Sequence, residues 1–241
     1  MKRLFLTAIF VAASSTAMFA AKDPQVEQLL SSAQTQADLF SGKGEPFQLG
    51  MDFVADPQTG VGPVAGHFDL KWEAKDRWWR QITLGGFKLT EIRNGKKLYT
   101  TRNAGFTPIA VREFFSLLDF AQMDQHRSQL LVKDQKRCKK NGVKAYCIKG
   151  ELVNGDSNER HDVVVSANSH ILSDDWQSAP DQRRTEEFTN WVALDKYRYY
   201  PSKLQLTVNG DKIISASVTN LTTAPFDETL LIPPQGAVAS K

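Results

Sequence analysis

Four Asn-Gly dipeptides, at 94–95, 141–142, 154–155 and 209–210, punctuate stretches in which apolar and polar residues alternate. Asn-Gly tolerates the positive φ angles of a two-residue hairpin turn, whose twist matches the strands it joins. Strands joined this way are antiparallel; a parallel sheet needs long crossovers. The alternation is explicit in Phe47, Leu49, Met51 and Phe53. It continues in Val64, Gly66, Phe68, Leu70 and Trp72, with His67, Asp69, Lys71 and Glu73 on the other side. Trp78, Arg80, Ile82 and Leu84 follow, with Trp79 on the opposite face, and Gly85-Gly86 turns the chain. Phe87 to Arg93 and Lys96 to Thr101 form a hairpin around Asn94-Gly95. Strands resume at Leu130–Cys138, Val143–Leu152, Arg160–Ala167, His170–Trp176, Thr185–Ala193, Lys203–Val208 and Lys212–Leu221. The tail from Leu230 to Ala237 reads as a short strand ended by proline.

Two segments break this rhythm. Asp23-Pro24 is an N-cap followed by proline at the first helical position. Val26, Leu29, Leu30, Ala33, Ala37 and Phe40 then recur at helical spacing, and Gly42 ends the run. Thr107-Pro108 opens a second helix that ends near Phe120 or Ala121. It is apolar on more than one stripe, through Ile109, Val111, Phe114, Phe115, Leu117 and Leu118, so it should be covered on more than one side. The expected architecture is α+β: a large, curved antiparallel sheet of about ten or eleven strands, an open half-barrel, with two main helices at its concave side.

The first 21 residues read as a cleaved signal peptide. Lys2 and Arg3 precede an apolar run from Leu4 to Ala13, and small residues follow. Cleavage is compatible with Ala17, Ala20 or Ala21. The run is shorter than the roughly 20 residues a membrane span needs. No later stretch is apolar enough to span a membrane, and no Cys near the cut offers a lipid anchor. Residues 22–241 are expected to form a single soluble domain in the periplasm, working as a monomer. The whole chain carries 30 Lys and Arg against 27 Asp and Glu. Loss of the signal leaves the balance near neutral, which argues against binding nucleic acid by bulk charge.

The cysteines, Cys138 and Cys147, bracket the Asn141-Gly142 turn and are placed to face each other across that hairpin. Export favours a disulfide. Two cysteines without a nearby His make a poor zinc site, and the spacing is not the Cys-x-x-Cys of redox enzymes. The same hairpin carries Lys136, Arg137, Lys139 and Lys140, a candidate docking surface for an anionic membrane or an acidic partner.

Motifs for catalysis are absent. There is no Gly-x-Ser-x-Gly, His-Glu-x-x-His or phosphate-binding glycine loop. His67, His126, His161 and His170 show no metal-ligand spacing, so neither a metal nor a cofactor is expected. His67 alternates with Asp69 on a polar strand face, which reads as a solvated surface. Asp174-Asp175 and Glu186-Glu187 are adjacent pairs whose members point to opposite faces of a strand. They read as loop or edge charges. The informative cluster is apolar. Phe68, Leu70, Trp72, Trp78, Ile82, Leu84, Phe87 and Leu89 line one side of the predicted sheet, and Phe114, Phe115 and Leu118 offer a helix to plug it. This set is either a filled core or a cavity for acyl chains.

The order of segments resembles the periplasmic outer-membrane lipoprotein carrier superfamily, the LolA/LolB-like fold. Three stretches carry the resemblance. They are Gly66-His-Phe-Asp-Leu-Lys-Trp72 with Trp78-Trp79-Arg80, Asn94-Gly-Lys-Lys-Leu-Tyr99, and Pro233-Pro-Gln-Gly-Ala237. The same domain type precedes TonB-type C-terminal domains. The resemblance implies an open, curved barrel with helices as a lid and an apolar cavity that takes the acyl chains of a lipid or lipoprotein. The carrier's Arg-Pro after the Gly-led strand is replaced here by Glu73-Ala-Lys-Asp-Arg77. That arginine holds the lid in the carrier, and Arg77 and Arg80 are the candidates to replace it. The expected function is therefore a non-catalytic, apolar-ligand-binding envelope protein, a candidate lipoprotein carrier. The alternative is an envelope interaction module with a filled core and the basic hairpin as its contact surface.

Overall fold

A computed structural model describes residues 24–40, 44–56, 62–121, 130–154 and 157–240. The signal-like segment, Asp23, the Gly42 helix end, His126, most of the turn at 57–61 and Gly155-Asp156 lie outside the described residues. The chain runs α1 (Pro24–Ala37), β1 (Phe47–Ala55), β2 (Val64–Ala74), β3 (Arg77–Leu84), β4 (Phe87–Asn94), β5 (Lys97–Arg102) and α2 (Ile109–Ala121). It continues with β6 (Leu130–Lys140), β7 (Val143–Asn154), β8 (Ser157–Ser166), β9 (Ile171–Ala179), β10 (Gln182–Ala193), β11 (Tyr199–Val208) and β12 (Asp211–Thr223). A 3-10 helix (Glu228–Leu231) and β13 (Val238–Ser240) end it.

The described strands form one open antiparallel sheet of thirteen, in the order β13-β5-β4-β3-β2-β1-β12-β11-β10-β9-β8-β7-β6. The α+β half-barrel is as expected, with more strands than the ten or eleven read from the sequence. Two meanders, β1–β5 and β6–β12, meet where β1 pairs with β12, from Phe47↔Thr223 to Ala55↔Ile214. α2 connects β5, next to one edge, to β6 at the opposite edge. A connection between opposite edges has to cross a face of the sheet. An apolar helix crosses the apolar face, and α2 packs there on β11 and β12. α1 lies on the same face, against β8 and β11.

Turn chemistry explains the register. Asn141 and Gly142 have φ of 50° and 80°, and Asn209 and Gly210 have 52° and 92°, the pattern of type I′ hairpins. At the third turn the central pair is Gly95-Lys96, one position later than expected. Only Gly95 takes positive φ there, 60°, so glycine occupies the first central position, as a type II′ turn requires.

The tail departs from expectation. Residues 228–231 form a 3-10 helix, not a strand, because Asp227 caps it by accepting hydrogen bonds from Thr229 N and Oγ1. Pro233 and Pro234 cannot donate to a ladder. The strand forms only beyond them, where Val238–Ser240 pairs with Thr100–Leu98. The 3-10 helix packs on β3 and β4 from the face away from α1 and α2. It buries Leu231 there, and Ile92 is buried on that same face. Arg77 ties this tail down through Glu228 while its Nε donates to Glu73 at 2.5 Å.

The far half of the sheet folds over. On a flat sheet β6 and β10 would lie about 19 Å apart, four spacings of about 4.8 Å. Lysine and glutamate side chains together reach only about 10 Å. Lys140 Nζ is nevertheless 2.6 Å from Glu187 Oε1. The β6–β7 hairpin therefore curls across the face opposite the helices. The Cys138–Cys147 disulfide staples that hairpin, with Cα atoms 5.9 Å apart. The cysteines are diagonal partners, since Cys138 pairs with Ala145 and Cys147 with Lys136.

Candidate functional site: the helix-filled face of the sheet

Phe68, Leu70 and Trp72 of β2, Ile82 and Leu84 of β3, and Phe87 and Leu89 of β4 all point to the face that carries the helices, and all are buried. Phe114 and Leu118 descend from α2 onto this face and are buried too. Trp78 and Phe115 are half-buried at its margin. All eleven residues singled out from the sequence pack into, or against, one apolar cluster.

Aromatic contacts fix the position of α2. Phe114 stacks on Phe53 at 4.2 Å between centroids and meets Phe68 edge-on at 5.6 Å. Phe115 meets Phe68 at 6.1 Å. Gly66 makes room for this arrangement. A Cβ there would lie 2.2 Å from the Phe53 ring, so a side chain on the Gly-led strand would displace the ring that seats Phe114. At the other end of the layer Phe40, just after α1, packs edge-on against Trp72 at 4.4 Å.

Three arginines hold the helical layer. Arg80 lies on the inner face of β3, with its guanidinium 4.2 Å from the centre of the Phe115 ring and 5.1 Å from that of Trp78. It pairs with Glu91 at 2.6 Å. Arg184 of β10 reaches Glu113 of α2 at 2.5 Å. Arg198 is buried, pairs with Asp195 at 2.6 Å, and donates to the carbonyl oxygens of Leu39 and Glu45 around the turn after α1. Of the two candidates named from the sequence, Arg80 touches the helical layer. Arg77 does not, because its position at the start of β3 directs it to Glu73 and the C-terminal tail.

A polar patch under the far half of the helical layer was missed. Asp174 and Glu186 are both 0% exposed. They are register partners on β9 and β10, interior strands, so they are not the loop or edge charges expected. His161 Nδ1 lies 2.9 Å from Asp174 Oδ2, and its ring stacks on Trp176 at 5.4 Å. A buried carboxylate survives only with partners. The sequence held a sign of this: Asp174 and Glu186 alternate with Leu172 and Trp176, and with Arg184 and Phe188, respectively.

The face away from the helices carries the remaining candidates. His67 bridges Asp52 at 2.6 Å and Asp69 at 3.0 Å. The hydrogen bond to Asp52 raises its pKa above the usual value, with the Asp69 charge adding to the effect. His170 is pushed the other way by burial, and its ring lies 4.8 Å from that of Trp191. A cavity of about 660 Å³ opens among β6 to β10, with Lys133, Arg160 and Arg183 set against Glu151, Asp162 and Asp175. Its charges largely pair with one another: Lys133 with Glu151 at 3.2 Å and Arg183 with Asp175 at 2.7 Å. In the neighbouring hairpin Lys136, Arg137 and Lys139 carry no carboxylate partner among the described residues, whereas Lys140 is engaged by Glu187. No group of three or more His, Cys, Asp or Glu that could hold a metal ion occurs among the described residues.

With this geometry in hand, the fold can be placed. The chain is similar to a DUF1329 family protein from Desulfovibrio piger, with a TM-score of 0.55 and 12% identity, covering 86% of this chain and 97% of that one. It is similar to a domain described as an outer membrane lipoprotein-sorting protein from Vibrio parahaemolyticus, at TM-score 0.54 and 12% identity over 84% and 94% of the two chains. A LolA superfamily protein from Nitrosomonas europaea matches at TM-score 0.50 and 11% identity over 86% and 96%. The protein thus has a LolA-like fold. No family model matches the sequence, and no curated protein matches it. Likeness at this identity is one of fold, and one fold hosts many functions. No described helix is long and apolar enough to cross a membrane.

Proposed function

We propose that the protein is a non-catalytic, extracytoplasmic binding protein for acyl chains of a lipid or lipoprotein, with α2 occupying the apolar face when no ligand is bound. The signal-like N-terminus and the disulfide support a periplasmic setting. The observation that carries the reading is the seating of α2. Its apolar side chains fill the apolar face, and its rim is held by an arginine on a ring and by an arginine on a carboxylate.

Magnitudes favour an exchange of helix for ligand. A 16-carbon chain fully buried would contribute about 12 kcal/mol at about 0.8 kcal/mol per CH₂. Removing Phe114, Phe115 and Leu118 from the face would cost roughly 4.5–9 kcal/mol at 1.5–3 kcal/mol per side chain. The plug thus offsets about half of the gross gain, which leaves a cargo that binds and can still be released.

The test is native mass spectrometry of the protein purified from its own envelope, followed by lipid extraction. A stoichiometric lipid or acylated peptide supports the reading and identifies the cargo. A mass unchanged after incubation with lipids and acylated peptides refutes it. The interaction module is then the better reading, and the packing of all eleven residues with one core already favours it to that extent. In that case charge reversal at Lys139 and Lys140 abolishes partner binding.

A further inference from the structure

We infer that the loop between β5 and α2 is a docking site for an anionic lipid surface, reading Phe106 and Ile109 as wedges and Arg102 and Arg112 as phosphate contacts. The inference holds whether or not the apolar face takes a chain.

Phe106 is 72% exposed and Ile109 is 67% exposed. Single exposed apolar residues are ordinary. These two are three residues apart and line one shallow cavity of about 570 Å³ together with Gly105, Thr107, Arg102 and Arg112. Neither arginine has a carboxylate partner among the described residues, and both are exposed. An apolar tip rimmed by free cations fits the boundary between acyl chains and anionic headgroups.

The surroundings decide the sign. From Phe87 to Arg112 the sequence holds six cations, Lys88, Arg93, Lys96, Lys97, Arg102 and Arg112, and one acid, Glu91. Glu91 is neutralised by Arg80 at 2.6 Å. Lys88 lies opposite Asn103 and so joins Arg102 and Arg112 beside Phe106 and Ile109, whereas Arg93, Lys96 and Lys97 sit at the other end of β4 and β5. The β6–β7 hairpin carries a similar formal charge, part of which is paired, Lys133 with Glu151 and Lys140 with Glu187. Its turn exposes only Val143 as a large apolar residue. Free cations set beside an exposed apolar pair thus favour the β5–α2 loop over the hairpin for an anionic membrane. The placement also bears on α2, because Ile109 is that helix's first residue.

The experiment is sedimentation of the secreted chain with phosphatidylcholine vesicles, with and without about one-third phosphatidylglycerol, at low and at physiological salt. Binding should require phosphatidylglycerol and weaken with salt. Arg102→Glu with Arg112→Glu should lower the apparent affinity by about 25-fold or more, since each cation near such a surface is worth roughly fivefold. Phe106→Ser with Ile109→Ser should also weaken binding, and what remains should disappear at physiological salt. Lys139→Glu with Lys140→Glu should stay within about twofold of the parent. All six positions except Lys140 are exposed, and unchanged melting temperatures would show that the variants fold. A parent chain that ignores both vesicles overturns the inference and points to a protein as the occupant of the loop. So does a hairpin variant that loses binding as completely as the arginine variant.

Discussion

At His67 two carboxylates favour the protonated form of an exposed imidazole, while at His170 burial favours the neutral ring, which stacks on Trp191. The two should titrate on opposite sides of the ordinary value of 6.5, His67 above and His170 below. Imidazole proton NMR would read both, and a His67 at or below 6.5 would refute the bridge. The linkage differs in sign. The His67 contribution is complete below pH 6.5 and fades as pH rises through the raised folded value. The His170 contribution is complete above pH 6.5 and fades as pH falls toward the lowered one. His67→Gln should therefore cost stability at pH 5 and little at pH 9. Solvent screening at this half-exposed site keeps that cost under about 1 kcal/mol. The alternation of His67 with Asp69 was visible in the sequence. Asp52 was not, because a pairing between strands depends on the β1–β2 register, Asp52 opposite His67. The same is true of Asp174, whose bond to His161 depends on the β8–β9 register.

The elements themselves were largely legible. Both helices and the meander follow from period and turn chemistry, and so do the inward residues of β2, β3 and β4. The C-terminal tail was not, because an apolar triplet before two prolines suits a capped turn as well as a strand. Only Asp227, with its bonds to Thr229, decides between them. Two predictions belong to this scale. Gly66→Ala should destabilise by about 1–3 kcal/mol, the usual cost of overpacking, since Phe53 must leave its contact with Phe114. Phe114→Ala should cost about 3–5 kcal/mol, because its ring is fully buried. Urea titration would measure both, and a Gly66→Ala chain as stable as the parent would mean the ring has slack. Replacing Cys138 and Cys147 with serine should cost about 2–3 kcal/mol for so short a closed loop. The loss should fall on the curled hairpin first, visible as faster hydrogen exchange in β6 and β7 than in β1.

For the whole molecule, the sheet is two meanders joined by one ladder, β1 with β12, and α2 is strung between opposite edges. Lifting α2 off the apolar face would pull on both edges, so on the proposed reading any exchange of helix for ligand would be coupled to the curvature of the sheet. Native-state hydrogen exchange should find the slowest amides in β1, β2 and β12 and the fastest in β13. Rapid exchange along β1–β12 would contradict a rigid seam. The topology also sets a schedule for a chain made from its N-terminus. β1, with Phe47, Leu49, Met51 and Phe53 on one side, has only β2 as a neighbour until Asp211–Thr223 arrives. The outer edge at β5 stays bare until Val238–Ser240 is made. All of residues 56–210 must emerge before β1 is flanked on both sides. A nascent chain therefore presents a sticky, half-paired edge throughout the synthesis of that stretch. A cell making this protein would have to shield that edge, and a chain cut before β12 should aggregate rather than fold.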